Sequence, residues 1–450
     1  LDIDSDLKQG GVDIDGDGNT IIYGVEFGGN NEEGYANIVE YLATSTVGCT
    51  DTLACNYSST ATIDDGSCIL SNCVTNITQN TFHATIQLAV DNSTSGDTLI
   101  MDSGTYVENV LINSSSIVLA SKYLTTSDST YIDATIIDAN NSGSAIEIDN
   151  SSLNISLTGF IMKNGYSSTT NTNGSGLYIT NANSVNLDRI SIISSVAQYG
   201  GGICWFTGNG TLIVKSSFID NNSATGGGGI YLDGVDRFEL YNSIISNNTV
   251  SVDGGGLCLR SDTSIIVNST IVSNEAGAGR YGAGIWFGGS NFHHHVIINS
   301  ITFGNSLSNS SDQNNIALSQ GSVYAHNNFT GGAFGFSLVE DQNNIVSSTF
   351  PFVDLPNNDF NLNNTTSAIG GGVNSVQVLS ETLTTLNFDY NNLARPTPAL
   401  SSPDIGAFES VYSSSDIGCT DPLACNYDPN AIFDDGSCIL GNCVENITQN

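Results

Sequence analysis

A short internal period between residues 177 and 285 constrains the fold of this 450-residue chain more than any other feature of its sequence. Gly-rich segments followed by an aliphatic residue recur there. The aliphatic positions recur after about 27 residues and are Leu177, Ile203, Ile230, Leu257 and Ile285. Each period holds two or three apolar runs of strand type and no helical spacing. This pattern predicts an all-β chain built as a right-handed parallel β-helix, a solenoid in which each period forms one coil.

Polar residues follow the same period. A serine recurs at Ser191, Ser217, Ser243, Ser269 and Ser300, and the last four are followed five residues later by Asn222, Asn248, Asn274 and Asn305. Because each coil of a β-helix adds one strand spacing of about 4.8 Å, equivalent residues stack on one another. We expect aliphatic side chains inside and asparagines at the corners, bonding the turn backbone and one another in ladders. At about 27 residues per coil, on the order of 12 coils are expected.

A 33-residue segment occurs twice, at residues 48–80 and 418–450, with 25 of its 33 positions identical. Each copy carries four cysteines with the spacing C-x5-C-x12-C-x4-C, and these are Cys49, Cys55, Cys68 and Cys73, then Cys419, Cys425, Cys438 and Cys443. Four clustered cysteines with no His nearby predict two disulfides per module, of open connectivity, and an oxidising, extracellular setting. A zinc knuckle is the alternative, although its paired C-x2-C spacing is missing.

This duplication divides the chain into segments. We assign 1–47 to an acidic segment, 48–75 to a four-cysteine module, 76–412 to the β-helix, 413–443 to a linker and the second module, and 444–450 to the start of a further repeat. The second copy runs on into VENITQN, which matches the opening of the β-helix region. We therefore expect a tandem array whose period is the distance from Gly48 to Gly418.

The charge balance excludes two classes of partner. Lys and Arg number 9 against 45 Asp and Glu, a formal net charge of −36, so nucleic acid and anionic membrane surfaces are repelled. No apolar stretch reaches the roughly 18 residues of a membrane span. The 48 glycines suit a turn-rich β protein.

The segment VDIDGDGNT at residues 12–20 matches the first half of a calcium loop, with Asp13, Asp15 and Asp17 at alternate positions before Gly18. An EF-hand would place its bidentate Glu at position 24, which is glycine here. We expect a thrombospondin-like or dockerin-like calcium site, with a solvated acidic turn as the alternative.

Aspartates of the cysteine modules are a second candidate for calcium. They are Asp51, Asp64 and Asp65, and in the second module Asp421, Asp434 and Asp435. Asx turns that cap a disulfide-bonded loop are the alternative explanation.

Strand alternation predicts an outward column beside the inward aliphatic one. It contains Tyr178, Cys204, Tyr231, Cys258 and Trp286, and the next outward column contains Phe206, Asp233 and Arg260. We expect Tyr178, Phe206, Tyr231 and Trp286 to form an exposed aromatic stripe that binds sugar rings or another chain, with a covered ladder as the alternative.

Two further patterns concern cysteine and histidine. Cys204 and Cys258 lie two coils apart, roughly 9.6 Å, and therefore beyond the reach of a disulfide, so both are predicted to be free packing residues. In the run His293, His294, His295 alternation points the middle ring away from its neighbours, which leaves at most a pair for metal binding.

Two segments resemble known β-helix proteins. TIQLAVDNSTSGDTLIMDSGTYVENVLI at 85–112 resembles the opening coil of pectin-lyase-like right-handed β-helix proteins. ARPTPALSSPDIGAFES, which contains Asp404 to Glu409, resembles the closing region of secreted bacterial proteins of the choice-of-anchor Q type. The segment TSAIGGG departs from the usual form of that region.

The resemblance also implies an enzymatic alternative. Polysaccharide lyases of the pectin-lyase-like fold combine an Asp cluster that holds calcium with an Arg or Lys base. The nearest equivalents here are Asp233, Asp236, Arg237 and Arg260, a weak set because no run of paired carboxylates stands beside them.

Two functions therefore stand as hypotheses. The first is a repeat unit of a secreted or cell-surface stalk, filament or adhesin, whose partners are other copies or neighbouring repeats and cell-surface polysaccharide. The alternative is a polysaccharide lyase or glycan-binding enzyme that acts on acidic glycans.

Overall fold

Parallel pairing between successive periods builds the main part of the chain. The structure, a computed structural model, describes residues 12–14, 20–25, 35–40, 46–167, 175–206, 208–289, 292–308 and 315–441, the first three ranges by their backbone. The chain divides into two units, Leu1–Ser71 and Asn72–Asn450. The second unit contains a parallel β-solenoid, so the predicted all-β fold class is confirmed.

The first unit contains two small sheets. Three antiparallel strands, Val12–Ile14, Thr20–Val25 and Tyr35–Glu40, pair in sequence order. In the first cysteine module Thr46–Gly48 pairs in parallel with Ala61–Asp64.

Four columns of stacked strands, A to D, make up the solenoid. Column A consists of Val110–Ile112, Ile146–Asp149, Leu177–Asn181, Ile203–Phe206, Ile230–Asp233, Leu257–Arg260, Ile285–Phe287 and Ile316–Leu318. Column B consists of Thr98–Met101, Val118–Ser121, Asn154–Lys163, Ser184–Ile193, Thr211–Lys215, Arg237–Tyr241, Thr263–Val267, His294–Ile298, Ser322–His326 and Glu340–Gln342.

Columns C and D complete each coil. Column C consists of Gly104–Val107, Thr135–Asp138, Phe218–Asp220, Ile244–Ser246, Thr270–Val272, Ile301–Phe303, Phe329–Thr330 and Ile345–Val346, and it joins column B through the long strands Asn154–Lys163 and Ser184–Ile193. Column D consists of Val196–Tyr199, Ser223–Gly226, Thr249–Val250, Glu275–Ala276 and Ser306–Leu307.

The helices of the described residues are few and short. They are α1 (Ile86–Asp91), α2 (Tyr123–Thr126), α3 (Thr130–Ala134) and the 3-10 turns Leu355–Asn357 and Ser414–Asp416. None of the described helices has the length and apolar character of a membrane span. Both carboxylate oxygens of Glu108 accept hydrogen bonds at the start of α1, from the backbone N–H of Ile86 and of Gln87 at 3.0 Å each. This helix and the antiparallel strands Val74–Asn76 and Thr81–His83 cover the first coils.

The predicted inward positions form the interior. Leu177, Ile203, Ile230, Leu257 and Ile285 are stacked in direct register and are fully buried. They belong to one apolar core that continues from Val74 to Val323. Continuous stacking explains why the Gly-aliphatic period is so regular in the sequence.

A buried asparagine ladder links four successive coils. The side-chain amide of Asn222 donates to Oδ1 of Asn248 at 3.0 Å, Asn248 to Asn274 at 3.0 Å, and Asn274 to Asn305 at 2.9 Å. Asn305 continues the ladder to Asn315 at 2.9 Å. Each of the first three also donates to a strand carbonyl, so the predicted ladder is confirmed with its amides satisfied.

A serine ladder runs beside the asparagine ladder. The backbone N–H of Ser217 donates to Oγ of Ser243 at 3.1 Å, Ser243 to Ser269 at 3.3 Å, and Ser269 to Ser300 at 3.2 Å. Ser191, which the constant step places at the equivalent position, does not belong to this ladder, because it pairs with Phe218. The coil that precedes Ser217 is slightly longer than the constant step assumed, so its equivalent position is Ile190.

The solenoid has about eight coils, and the expected number of twelve is wrong. Early coils are longer, because column A advances from Val110 to Ile146 and then to Leu177 before the regular step begins. Residues 347–412 leave the columns altogether. This segment, called the strap, lies on the outer faces of columns B and C and contains the antiparallel pairs Phe352–Asp354 with Asp359–Leu362 and Ser375–Val378 with Glu381–Thr384.

The strap covers apolar side chains that point out of the solenoid. Ile301 and Phe303 of column C pack with Phe352, Phe360 and Ile405 of the strap. Its second hairpin covers the outer face of column B, and there Ile265, Val267, Val296 and Ile298 pack with Val378 and Leu383. Burial of these faces holds the strap on the coils.

A column of left-handed corner residues binds the strap backbone. Asn242, Asn268, Asn299 and Asn327 have φ between 46° and 53°. The amides of Asn268, Asn299 and Asn327 donate to the carbonyls of Asp404 at 3.2 Å, Val373 at 2.7 Å and Gly371 at 2.9 Å, and Asn242 donates to that of Phe388. Asparagine tolerates this backbone conformation and also offers a donor, which suits it to both tasks.

The DIGAFE segment is the centre of the strap. Arg395 is buried and forms an ion pair with Glu409 at 3.2 Å, while Asp404 accepts the N–H groups of Gly370 at 2.7 Å and Ser410 at 2.6 Å. Burial and the neighbouring Glu409 carboxylate raise the pKa of Asp404 to about 7. Gly406 has a φ of 105°, and a Cβ there would lie 2.7 Å from Ile301, so a side chain has no room.

We predict that Asn248→Ala destabilises the solenoid by about 3 kcal/mol, because it removes four buried hydrogen bonds and leaves partners in adjacent coils unsatisfied. Asn361→Ala is the matched control, since that exposed residue bonds only to Asp359 beside it. It should change stability by less than about 0.5 kcal/mol. Denaturant unfolding monitored by circular dichroism measures both, and equal effects would contradict a role for the ladder.

Candidate functional site

An open groove of about 560 Å³ lies at the end of the predicted outward columns. It is formed where column A strands turn towards column B, and its lining includes Asp233, Arg260, Asp262, Trp286, Gly289, His293 and Gln320. The groove therefore combines one aromatic ring, one guanidinium, two carboxylates, an imidazole and an amide. These are groups that bind polar ligands of small-molecule size.

Arg260 and Trp286 form its centre. The guanidinium lies 5.2 Å from the centre of the indole ring, and its Nη1 is 3.7 Å from Oδ2 of Asp233. The side chains of Arg260 and Asp233 are about 41% and 32% exposed, so the pair is solvated and weak. Elsewhere in the lining, Nε2 of His293 lies 3.3 Å from Oδ1 of Asp262.

The expected exposed aromatic stripe is wrong for two of its four members. Tyr178, Cys204, Tyr231, Cys258 and Trp286 do stack in register. Tyr178 and Tyr231 are nevertheless 8% and 4% exposed.

A second layer of rings explains the burial of Tyr231. Tyr199 from column D and Phe206 lie 4.9 Å and 6.2 Å from the Tyr231 ring. Phe206 and Trp286 remain half-buried, and they are the accessible members of the set proposed to bind sugars.

The four catalytic candidates do not converge. Asp233 and Arg260 meet in the groove, but Asp236 accepts the N–H of Gly210 at 3.1 Å. Arg237 is used by the strap, because its guanidinium binds both oxygens of Glu381 at 3.1 Å and 2.8 Å and also contacts Glu239. These bonds raise the pKa of Arg237 and lower that of Glu381, so the arginine is held as a charged structural group and is a poor base.

The predicted calcium site at residues 13–17 lies partly outside the described residues. Asp13 lies in a described strand, but Asp15 and Asp17 lie outside the described residues, so the predicted site stays a prediction. Within the described part of the chain no group of three or more His, Cys, Asp or Glu side chains is arranged to hold a metal.

The aspartates of the modules serve Asx turns. Asp51, Asp64 and Asp65 accept the backbone N–H groups two residues on, at 2.9 to 3.0 Å, and the equivalents in the second module do the same. The alternative that the sequence left open therefore accounts for their local bonds.

Both cysteine modules contain the same disulfide. Cys49 bonds Cys68 and Cys419 bonds Cys438, each with a Cα–Cα distance of 4.8 Å. Cys55, Cys73 and Cys425 are also disulfide-bonded, and Cys443 lies outside the described residues. The disulfides indicate an oxidising environment.

Cys204 and Cys258 are free and buried, as predicted. Burial raises the pKa of both thiols, which makes them unreactive at neutral pH.

His294 and His295 point to opposite faces, as alternation predicts. His293 and His295 do not form the outward pair that the sequence left open for a metal, because His295 is fully buried. His293 faces the groove, the His294 ring lies 6.3 Å from that of Tyr324, and His295 points into the core. The buried ring of His295 stacks on Phe287 at 4.2 Å. Its Nδ1 lies 3.1 Å from Ser264 Oγ, and its Nε2 has no hydrogen-bond partner among the described residues. Burial, aided by the two neighbouring histidines, lowers the pKa of His295 to about 3.

Comparisons with protein-family models, curated proteins and solved structures found no match for this chain. The groove is therefore defined by its geometry. Sequence reasoning named Asp233, Arg260 and Trp286 but missed Asp262 and Gln320. These two reach the groove from turns that follow column A strands of different coils, and turn residues carry no period in the sequence.

We predict that thiol titration of the unreduced protein in denaturant finds two thiols, Cys204 and Cys258, and that the folded protein shows neither because both are buried. The double variant Cys204→Ala with Cys258→Ala should leave no thiol in either state. Four or more thiols in denaturant would mean that the modules are not oxidised.

We predict an acid sensitivity that depends on His295. Its pKa is about 3 in the folded chain and near 6.5 when unfolded, so the unfolded state binds more protons between these values and stability falls as pH falls. The loss amounts to roughly 4 kcal/mol between pH 7 and pH 3. His295→Phe should remove this part of the pH dependence, whereas His294→Phe should retain it. Thermal melting across this pH range compares the variants, and parallel profiles would contradict the assignment.

Proposed function

We propose that this chain is a repeat unit of a large extracellular protein with a structural or adhesive role, in which β-solenoids are joined by disulfide modules. The observation that carries the proposal is the duplicated module. The two copies share their sequence, the disulfide Cys49–Cys68 or Cys419–Cys438, and the amide bond from Asn56 or Asn426 to a serine carbonyl eleven residues on. A module that recurs in this detail before and after the solenoid in the sequence suits a joint in an array.

The second module is packed against the end of the strap, which suits such a joint. Tyr412 follows the DIGAFE segment. Its ring packs edge to face on the ring of Phe433 in the module, with the ring centres 4.7 Å apart. Ser413 and Asp416 form a capping box in the turn between them. The short parallel pair Ile417–Gly418 with Phe433–Asp434 begins directly after this turn. The solenoid and the module are thus connected through packed side chains as well as through the chain.

The proposed location and partners of the protein rest on its disulfides, its duplicated module and its acidic segment. The disulfides favour secretion to the cell surface or beyond. The proposed partners are other copies or neighbouring repeats and cell-surface glycan. Calcium at Asp13, Asp15 and Asp17 would stiffen the acidic segment by neutralising its carboxylates.

A relation to pectin-lyase-like proteins of the choice-of-anchor Q type is proposed on the closing segment. Asp404 and Glu409 bracket small and apolar residues that enter the strap core. Arg395 forms an ion pair with the carboxylate of Glu409 and donates to the backbone carbonyl of Asp404. This arrangement gives a physical reason for the DIGAFE pattern. It supports a shared way of closing the solenoid.

A second candidate is a polysaccharide lyase or glycan-binding enzyme of the pectin-lyase-like fold. The groove favours it, because Asp233 and Arg260 stand together beside Trp286. One arginine with one nearby carboxylate is less than the cluster of acids and a base that lyase chemistry requires. The structural role is therefore the better supported of the two.

We predict that electron microscopy of the native protein shows elongated particles with a regular repeat, each repeat corresponding to one solenoid and one module. Reduction of the disulfides should disrupt the order between repeats before it unfolds the solenoids, because the modules lack a large apolar core of their own. Circular dichroism and imaging of the same reduced sample separate the two effects.

The structural proposal can be contradicted by an assay for the unsaturated products that a lyase releases from polyuronates. Lyase activity that is lost in Arg260→Gln but kept in Arg280→Gln would replace the structural proposal with the enzymatic one. Compact single particles in native material would also contradict it.

A further inference from the structure

We propose that the groove around Trp286 and Arg260 binds a single carboxylated sugar residue carried on an otherwise neutral glycan. This site is separate from the proposed joint between repeats, and it would exist in a structural protein or in an enzyme. Binding of such a sugar residue depends on which hydrogen-bonding groups in the groove remain available to a ligand. It also depends on the charge that surrounds them.

Arg260 is held in place while its hydrogen-bond donors stay available. Arg189, Arg237 and Arg395 each donate hydrogen bonds to the strap, but Arg260 donates none among the described residues. Its contacts are the indole face of Trp286 and the solvated 3.7 Å ion pair with Asp233. A guanidinium that is positioned by stacking and has free N–H groups is suited to a carboxylate, which it binds through two parallel hydrogen bonds.

Trp286 supplies a fixed wall for a sugar ring. The indole lies over Gly288, where an added Cβ would come within 2.3 Å of the ring. Glycine at this position therefore permits the flat placement of the indole beside the backbone. The indole ring is partly exposed in the groove, so it can pack against the apolar C–H surface of a sugar. Arg260 would then bind the carboxylate of the same sugar residue.

The remaining lining suits hydroxyl groups. The carboxylates of Asp262 and Asp233 are acceptors, and Gln320 offers both a donor and an acceptor. Asp262 is 69% exposed beside His293, so it is free to turn towards a ligand. The groove volume of about 560 Å³ lies in the range of small-molecule sites, which suits one or two sugar rings.

The surrounding charge limits the ligand to one acid group. Within the groove, one guanidinium is accompanied by the carboxylates of Asp233 and Asp262. A second acid group on the ligand would lie beside one of these carboxylates. The chain as a whole carries −36, which repels long polyanions. A lone acidic residue on a neutral chain avoids both penalties.

The test is a titration of the full chain with D-glucuronic and D-galacturonic acid, with glucose and galactose as neutral controls and polygalacturonate as the polyanion. The chain has two tryptophans, and Trp205 is fully buried, so the indole N–H signal of Trp286 in NMR spectra reports the groove directly. We expect the acids to shift this signal and to bind about tenfold or more tightly than the neutral sugars. Polygalacturonate should bind no more tightly per site than the monosaccharides.

Two arginine variants complete the test. Arg260→Gln should weaken acid binding about tenfold or more, while Arg280→Gln, at an exposed position outside the groove lining, should leave it unchanged. Trp286→Leu should weaken acidic and neutral sugars alike. Thermal melting confirms that each variant is folded.

Several results would overturn the site. Equal binding of acidic and neutral sugars would remove the role of Arg260, and equal losses in the two arginine variants would show a general charge effect. Tighter binding of the polymer would refute the limit to one acid group. An unshifted Trp286 signal with every probe would refute the groove itself. None of these outcomes depends on whether the protein forms arrays.

Discussion

The coils of the solenoid can stack only if the asparagine amides buried between them are hydrogen-bonded from one coil to the next. Asn222, Asn248, Asn274 and Asn305 are almost fully buried, and an amide without partners there would cost several kcal/mol. Asn222, Asn248 and Asn274 find their partners only if the next coil places an asparagine directly above each of them, whereas Asn305 bonds Asn315 ten residues on. This requirement sets a near-constant path length from one asparagine to the next. Variation in length is then confined to turns such as those that form the groove.

The outer faces of the coils impose a second constraint. Ile301, Phe303 and Phe329 point outward from column C and would form a large exposed apolar patch without the strap. The strap needs anchors that do not disturb the ladders inside, and the left-handed corner asparagines provide them. Arg395 and its carboxylates, buried within the strap, tie its closing segment to this cover.

The groove shows how a repetitive scaffold acquires a local site. In a preceding coil Tyr231 is covered by Tyr199 and Phe206, and Tyr178 belongs to the same buried cluster, so the aromatic column is part of the packing. At Trp286 the ring is only partly covered and Arg260 lies against it. The site thus arises where a packed column ends. Its presence is compatible with a structural protein that also adheres to glycan.

Because stacked coils force equivalent residues to recur at fixed spacing, the sequence was enough to predict the solenoid, its period, the inward aliphatic column, the asparagine ladder and the free state of Cys204 and Cys258. It did not predict that residues 347–412 form a strap, that Arg237 binds Glu381 of that strap, or that Tyr178 and Tyr231 are buried. These features depend on contacts between distant segments of the chain or between different columns. Such contacts leave no period in the sequence, so alternation can show that a side chain points outward, but only the fold shows what covers it.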